Sequence, residues 1–208
     1  DEDDLMFKSW TPSHYNSLKI NIINNLESNK KFDTFKLSEL VHFDTSLRRK
    51  TKISNKAKCI SVLHVQDDDN LDLDGVLNYN PKYKGISCKP GDLLFSKINP
   101  RIMRFLIVPD LNLELSCSSE FEILNSKVEL SNYLIKLLLM NPKVQSQINT
   151  TTSGTSSSHN RIKSNDLANI IVPVPRKNSK LHDNFMKFGN QYEENNLNYM
   201  SNKLKMEK

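Results

Sequence analysis

The sequence predicts an α+β fold: a small mixed β-sheet with packed helices, followed by a long C-terminal helix of coiled-coil type. Three observations predict it. Between Phe35 and Phe121 the apolar residues come in short runs with a period near two, punctuated by turn residues. Between Leu130 and Ile148 the period becomes that of a helix. Beyond Lys177 the chain is polar except for a stripe in which Leu181, Phe185, Phe188 and Tyr192 recur at spacings of 4, 3 and 4.

Taken in order, Tyr15, Leu18, Ile22 and Leu26 recur at helical spacing behind the capping residues Thr11-Pro12-Ser13, so a first helix is expected from about Ser13 to Glu27. Strands are expected at 59–65, 86–88, 93–98, 103–108 and 119–124. Between them Asn78-Tyr79-Asn80-Pro81, Lys89-Pro90-Gly91-Asp92 and Asn99-Pro100-Arg101 are turns whose Pro or Gly sets the backbone. Leu130, Tyr133, Leu134, Leu137, Leu138 and Ile148 line one face of a helix that Ser131 caps, that breaks at Pro142 and that packs on the sheet. The run from Asn149 to Arg161 is almost all hydroxyl and amide side chains and cannot form core. A short helical piece at 164–168 leads into Ile170 to Pro175, an edge strand because proline cannot donate to a ladder. Residues 1–176 therefore read as one domain with a lead-in helix, and 177–208 as a separate helix. Its stripe continues through Leu197, Met200 and Leu204 after a stutter, and such a helix wants a partner helix in the same assembly or in another copy.

The 208-residue chain carries 29 Lys and Arg against 24 Asp and Glu, a net charge of +5. At this length roughly 70% of the unfolded surface is buried on folding, so neither a disulfide nor a metal is needed. Three cysteines, Cys59, Cys88 and Cys117, stand far apart and suit reduced thiols in a cytoplasmic compartment. The longest apolar stretch, 133–140, is interrupted by Lys136 and falls far short of the roughly 20 residues of a membrane span. The start Asp1-Glu2-Asp3-Asp4 has neither an apolar signal segment nor an initiator Met, which reads as a chain cut from a longer one.

Catalytic signatures are missing. The 5 glycines are not spaced for a dinucleotide turn or a phosphate loop. There is no Gly-x-Ser-x-Gly, no His-Glu-x-x-His and no Asn-Pro-Pro-aromatic tetrad. No catalytic site, no cofactor and no metal is expected, and the chain is not read as an enzyme. The acidic run places Asn70, Asp72, Asp74 and Gly75 at the first, third, fifth and sixth positions of a calcium loop, but Pro81 stands where the bidentate carboxylate belongs. It reads as a solvated acidic loop between strands. His14, His42, His64, His159 and His182 form no i, i+4 pair.

Four blocks in order carry a resemblance: Gly91-Asp92-Leu93-Leu94-Phe95-Ser96-Lys97-Ile98-Asn99-Pro100; Ser118-Ser119-Glu120-Phe121; Ser153-Gly154-Thr155-Ser156 with Arg161-Ile162; and Ile171-Val172-Pro173-Val174-Pro175. Together they resemble the target recognition domain of a type I restriction-modification specificity subunit, over roughly Phe35 to the C-terminus. Ser13-His14-Tyr15 and its helix look like the lead-in found where such domains follow a methyltransferase in one polypeptide. The resemblance implies a domain that reads one half of a split double-stranded DNA site, followed by a helix that sets the separation of two such domains. The implied partners are a DNA methyltransferase subunit or domain and a restriction subunit with nuclease and translocase activity. A full specificity subunit has two recognition domains, whereas this chain has room for one. It is then a half-subunit that pairs with a second copy or second recognition domain, or a fragment of a fusion. The resemblance further implies a structural role for the Ser/Thr loop, with Arg161 anchoring it.

Duplex DNA is bound by cations on phosphates and read by forked donors and amides. Arg48-Arg49-Lys50-Thr51-Lys52 forms a basic segment between expected strands, and Lys97, Arg101 and Arg104 flank the Asn99-Pro100 turn. The base-reading candidates are Arg48, Arg49, Asn78, Asn80, Asn99, Arg101, Asn160 and Arg161. A solvated loop accounts for the basic segment equally well. Tyr79 and Tyr83 could pack on sugars or thymine methyls, or at the core edge. Glu120 reads as a buried hydrogen-bonded carboxylate, and Leu181, Phe185, Phe188 and Tyr192 as the face for a partner helix. A protein-assembly module that does not itself bind DNA is the competing reading.

Overall fold

The computed structural model describes residues 17–66, 70–152 and 160–206. The expected helix start at Ser13, the aspartates 67–69 and the stretch 153–159, with Gly154, Thr155 and Ser156, lie outside the described residues. The elements are α1 (Ser17–Glu27), β1 (Phe32–Lys36), α2 (Leu37–Leu40), β2 (Val41–Phe43), α3 (Thr45–Arg48), β3 (Lys58–Ile60), a 3-10 turn (Val62–His64) and α4 (Leu73–Asn78). Then come β4 (Ile86–Cys88), β5 (Leu93–Ser96), a second 3-10 turn (Pro100–Ile102), β6 (Phe105–Ile107), β7 (Leu115–Cys117) and β8 (Phe121–Ser126). The chain closes with α5 (Asn132–Leu139), α6 (Pro142–Thr151), α7 (Ser164–Ala168), β9 (Ile171–Pro175) and α8 (Lys180–Met206). This is the mixed α+β fold that the sequence predicts.

A four-stranded antiparallel sheet, β2-β8-β5-β6, separates two cores. Successive strand residues point to opposite faces, so Leu93 and Phe95 of β5 join Phe105, Ile107 and Leu124 under the helices, while Leu94 joins Leu106, Phe121 and Ile123 on the other face. All four residues of β5 are buried because both faces are covered. The second core is closed by the sheet β3-β7-β4, in which β3 runs parallel and β4 antiparallel to β7. One free, buried cysteine stands on each of its strands. Phe95, Phe105 and Phe121 are fully buried, each worth about 1.5–3 kcal/mol of transfer free energy.

Four expectations change. The run 59–65 is not one strand: β3 stops at Ile60, and Ser61 opens a turn in which its N–H donates to His64 Nδ1 at 3.0 Å. The acidic run is not a plain loop, because Asp72 Oδ1 accepts the Gly75 N–H at 2.9 Å and caps α4. The basic segment is not a plain loop either, since Thr45–Arg48 forms a helical turn. The hydroxyl-rich run does enter the core at its start: Thr151 is buried on α6, its hydroxyl donating to the Gln147 carbonyl at 2.7 Å.

The break at Pro142 falls where proline requires it. α5 ends at Leu139, Asn141 Oδ1 accepts the Lys143 N–H at 2.9 Å, and Pro142 opens α6. Among the described residues β9 pairs only with β1, its Pro173 and Pro175 opposite Thr34 and Phe32. The buried Gln147 amide serves its other edge, accepting the Ile171 N–H at 2.9 Å and donating to the Ile171 carbonyl at 2.8 Å. Among the described residues no helix is long and apolar enough to cross a membrane.

Candidate nucleic-acid interface

Strand register sorts the candidate residues by position. β3, β5 and β7 finish at one end of the two sheets, where β4, β6 and β8 begin: Ser96 faces Phe121, Phe95 faces Phe105, and Cys117 faces both Ile60 and Ile86. Lys97, Asn99, Arg101, Arg104, Asn160 and Arg161 all come to this end. The Asn99 N–H donates to the Asn160 carbonyl at 2.7 Å, and Ile98 forms a single antiparallel bridge with Arg161. Asn99 and Met103, at φ of 45° and 52°, bracket the turn Pro100–Ile102, so two non-glycine residues hold left-handed conformations around Arg101. That geometry costs free energy and persists only where the surroundings impose it.

Two of the cations here are spent on the fold. Arg161 makes a two-pronged contact to Glu120, Nε to Oε2 at 3.1 Å and Nη2 to Oε1 at 2.9 Å. Those hydrogen bonds hold the Glu120 carboxyl below the usual carboxylate range. Lys97 Nζ lies 3.3 Å from Glu122, whose Oε2 also accepts the Ser164 hydroxyl at 2.5 Å. Glu122, not Glu120, is therefore the buried carboxylate, at 3% exposure. Phe43, Thr45, Arg49, Lys97, Glu122 and Ser164 line a groove of about 500 Å³ beside it. Arg101 is exposed and Arg104 half-buried.

The basic segment behaves differently. Arg48 reaches the end where β5 begins and grips Asp92 with both prongs, at 2.8 and 3.0 Å. Asp92 is buried, and its oxygens also accept the Lys89 N–H at 2.7 Å and the Asn125 amide at 3.0 Å. Asn125 Oδ1 accepts from Asn132, which donates to the Gly91 carbonyl as well. Arg48 thus clamps the turn at Gly91, leaving Arg49, Lys50 and Lys52 as the exposed cations of the segment. Downstream the Ser54 N–H is held by Glu114, just before β7, so the later part of the segment leads to the end opposite to Arg101 and Arg161, while Arg49 lines the groove with Lys97. Asn125 and Asn132 were not foreseen, since a half-buried asparagine tied into the fold looks like any other in an asparagine-rich chain.

Asn78 and Asn80 flank Tyr79 at the end of α4. Asn78 is exposed and bonds back to Asp74, and Asn80 accepts from Lys84 at 3.2 Å. On α8, Phe185 and Tyr192 pack against the domain's own core, while Leu181 and Phe188 are 39% and 55% exposed.

Two solved structures share this arrangement. One belongs to a study of complex assembly and conformational transition of the type I R-M system; it is 14% identical, covers 86% of this chain and 46% of its own, with a TM-score of 0.54. The other is the HsdS subunit of Thermoanaerobacter tengcongensis, 16% identical over 70% of this chain and 38% of its own, with a TM-score of 0.50. The fold is that of HsdS. This chain spans less than half the length of either neighbour. No family model and no curated protein matches the sequence. The likeness to HsdS lies in the fold, which here joins the two sheets, the helices α5 to α7, the edge strand β9 and the long helix α8.

Proposed function

We propose that this chain is a recognition module of a type I restriction-modification system. It binds double-stranded DNA sequence-specifically, has no catalytic site of its own, and directs methyltransferase and restriction partners to one half of a bipartite site in the cytoplasm. Residues 1–176 act as the recognition domain and 177–208 as the spacer helix toward a second recognition domain or a second copy. The HsdS fold carries this reading. Support comes from the gathering of Asn99, Arg101, Arg104 and Asn160 at one end of the sheets, on a frame that the Lys97–Glu122 and Arg161–Glu120 pairs hold, with Arg49 on the groove beside Lys97. Guanidinium and amide groups of this kind are what phosphates and base edges require.

The test is selection of the purified chain, alone and with a methyltransferase subunit, on a pool of random duplexes, followed by sequencing of what is retained. A short enriched motif is expected, with log affinity falling linearly in log salt by about 0.9 per phosphate contact. Absence of enrichment in both conditions, together with salt-insensitive self-association, would instead favour an assembly module, which the exposed Phe188 and Leu197 of α8 would serve.

A further inference from the structure

The end of the sheets described above carries a second projection, the segment from Tyr79 to Lys84 between α4 and β4. Both of its roots are fixed. Tyr79 packs edge-on against His64, ring centroids 5.0 Å apart, and His64 itself accepts the Ser61 N–H. At the other root Gly85 sits at φ of 80°, and a Cβ built there would lie 2.1 Å from the Cys117 carbonyl oxygen, so only glycine lets the chain pass this close to β7. Between these roots Asn80, Lys82 and Tyr83 face solvent, with Pro81 and Lys84 half-buried. Tyr83 is 77% exposed and Tyr79 40%, with Leu63 on the adjoining turn at 80%. Lys82 Nζ stands 5.7 Å from the Tyr83 ring, and Lys84 donates to Asn80.

Tyr79 and Tyr83 expose two aromatic side chains within five residues, the second with Lys82 over its ring. From Tyr79 to Lys84 there is no carboxylate; Asp74 precedes Tyr79 by five residues, and Asp72 is tied by its N–H to the His64 carbonyl at the root of the segment. The segment is therefore built for an anionic partner with flat and apolar faces. Asn80 supplies the amide that pairs with adenine, the tyrosines supply surface for thymine methyls and sugars, and the lysines supply phosphate contacts.

Resting on the DNA-binding reading above, we propose that the segment Tyr79–Lys84 is the base-reading finger of this domain, and that Asn80 and Tyr83 set its sequence preference. Arg101 and Arg49 supply affinity, and the finger supplies discrimination.

The test repeats the duplex selection with the full chain carrying Asn80→Ala or Tyr83→Ala. Both side chains are exposed, so an unchanged thermal midpoint is expected. Each variant should lose about tenfold preference at one or two positions of the motif, the size of one lost base contact, while the salt slope stays within one unit of the parent. If the parent enriches a motif and both variants return the same motif with the same preference, the finger assignment is overturned and the DNA-binding reading stands. If a variant binds all sequences more weakly and its salt slope drops by one or more, the finger is a phosphate clamp and the assignment is likewise overturned. If the parent enriches nothing, the functional reading itself fails.

Discussion

Arg48 and Arg49 are adjacent and chemically identical, yet the fold uses them differently. Arg48 has a side chain 17% exposed and its guanidinium is committed to Asp92, 44 residues away. Arg49 is exposed on the rim of the groove with Lys97 and Glu122. Removing one partner of a buried ion pair leaves an uncompensated charge, so Arg48→Ala is expected to cost about 3 kcal/mol, at the low end for such pairs because the arginine keeps some solvent. Arg49→Ala is expected to stay within about 0.5 kcal/mol of the parent in stability and to weaken duplex binding. Urea denaturation of the two variants, read beside a binding isotherm, checks both; equal midpoints would mean that the Asp92 clamp is not structural. The distinction was not legible in the sequence. A run of cations looks alike from within, and the carboxylate that singles out Arg48 arrives only when β5 pairs with β8 and α3 packs beside them. Nor was the Arg161–Glu120 pair legible, since 41 residues separate its partners and they meet only when Ile98 bridges Arg161 beside the start of β8.

At the scale of elements, legibility followed length and capping chemistry. α5 and α6 were readable because Ser131, Asn141 and Pro142 mark their starts, and β9 because its prolines tolerate only an edge. β2, with three residues Val41 to Phe43, is too short to show a period, whereas β5 was legible as a short apolar run although both of its faces are buried. α8 shows how a stripe of one period can serve two masters. Along it Phe185 and Tyr192 meet the core, Tyr192 lies T-shaped to Tyr133 at 5.8 Å with Lys136 Nζ 5.5 Å from its ring, and the Tyr133 hydroxyl donates to Asn196 at 3.3 Å. Burial pushes the Tyr133 hydroxyl up to about 12, so it stays protonated and able to donate at neutral pH. The closest approach is at the buried Gly189, where a Cβ would lie 2.2 Å from Leu134 Cδ2. Gly189→Leu is expected to destabilise by about 1–3 kcal/mol through overpacking, outweighing the gain of about 1 kcal/mol in helix propensity. Thermal unfolding with near-ultraviolet circular dichroism on Tyr133 and Tyr192 reads the outcome. An unchanged or raised midpoint would show that α8 is not seated on α5.

For the whole molecule, the seating of α8 decides which of its residues can meet a partner. Phe185, Gly189 and Tyr192 are taken by α5 and the core, while Leu181, Phe188 and Tyr199, whose spacings of 7 and 11 residues put them on one face, remain 39%, 55% and 47% exposed. A partner helix is then expected on that second stripe, displaced around the helix from the core-facing one. The double variant Phe188→Ser/Tyr199→Ser should therefore lower the mass of any self-associated form seen by light scattering and leave the thermal midpoint unchanged. Phe185→Ser should instead lower the midpoint, because it opens the core. If the double variant keeps the parent's mass at every concentration tested, pairing does not run through this stripe. The argument joins the two ends of the molecule. Because the start of α8 is fixed to α5, and α5 packs on β5, β6 and β8, a partner held on the far part of α8 has a set direction relative to Arg101, Arg161 and the Tyr79–Lys84 finger. A second recognition domain carried by that partner would then meet DNA at a set distance, which is the geometry a bipartite site demands. Loosening Gly189 should blur that distance before it affects binding to a single half-site, and selection on duplexes of varied spacer length is the measurement that separates the two.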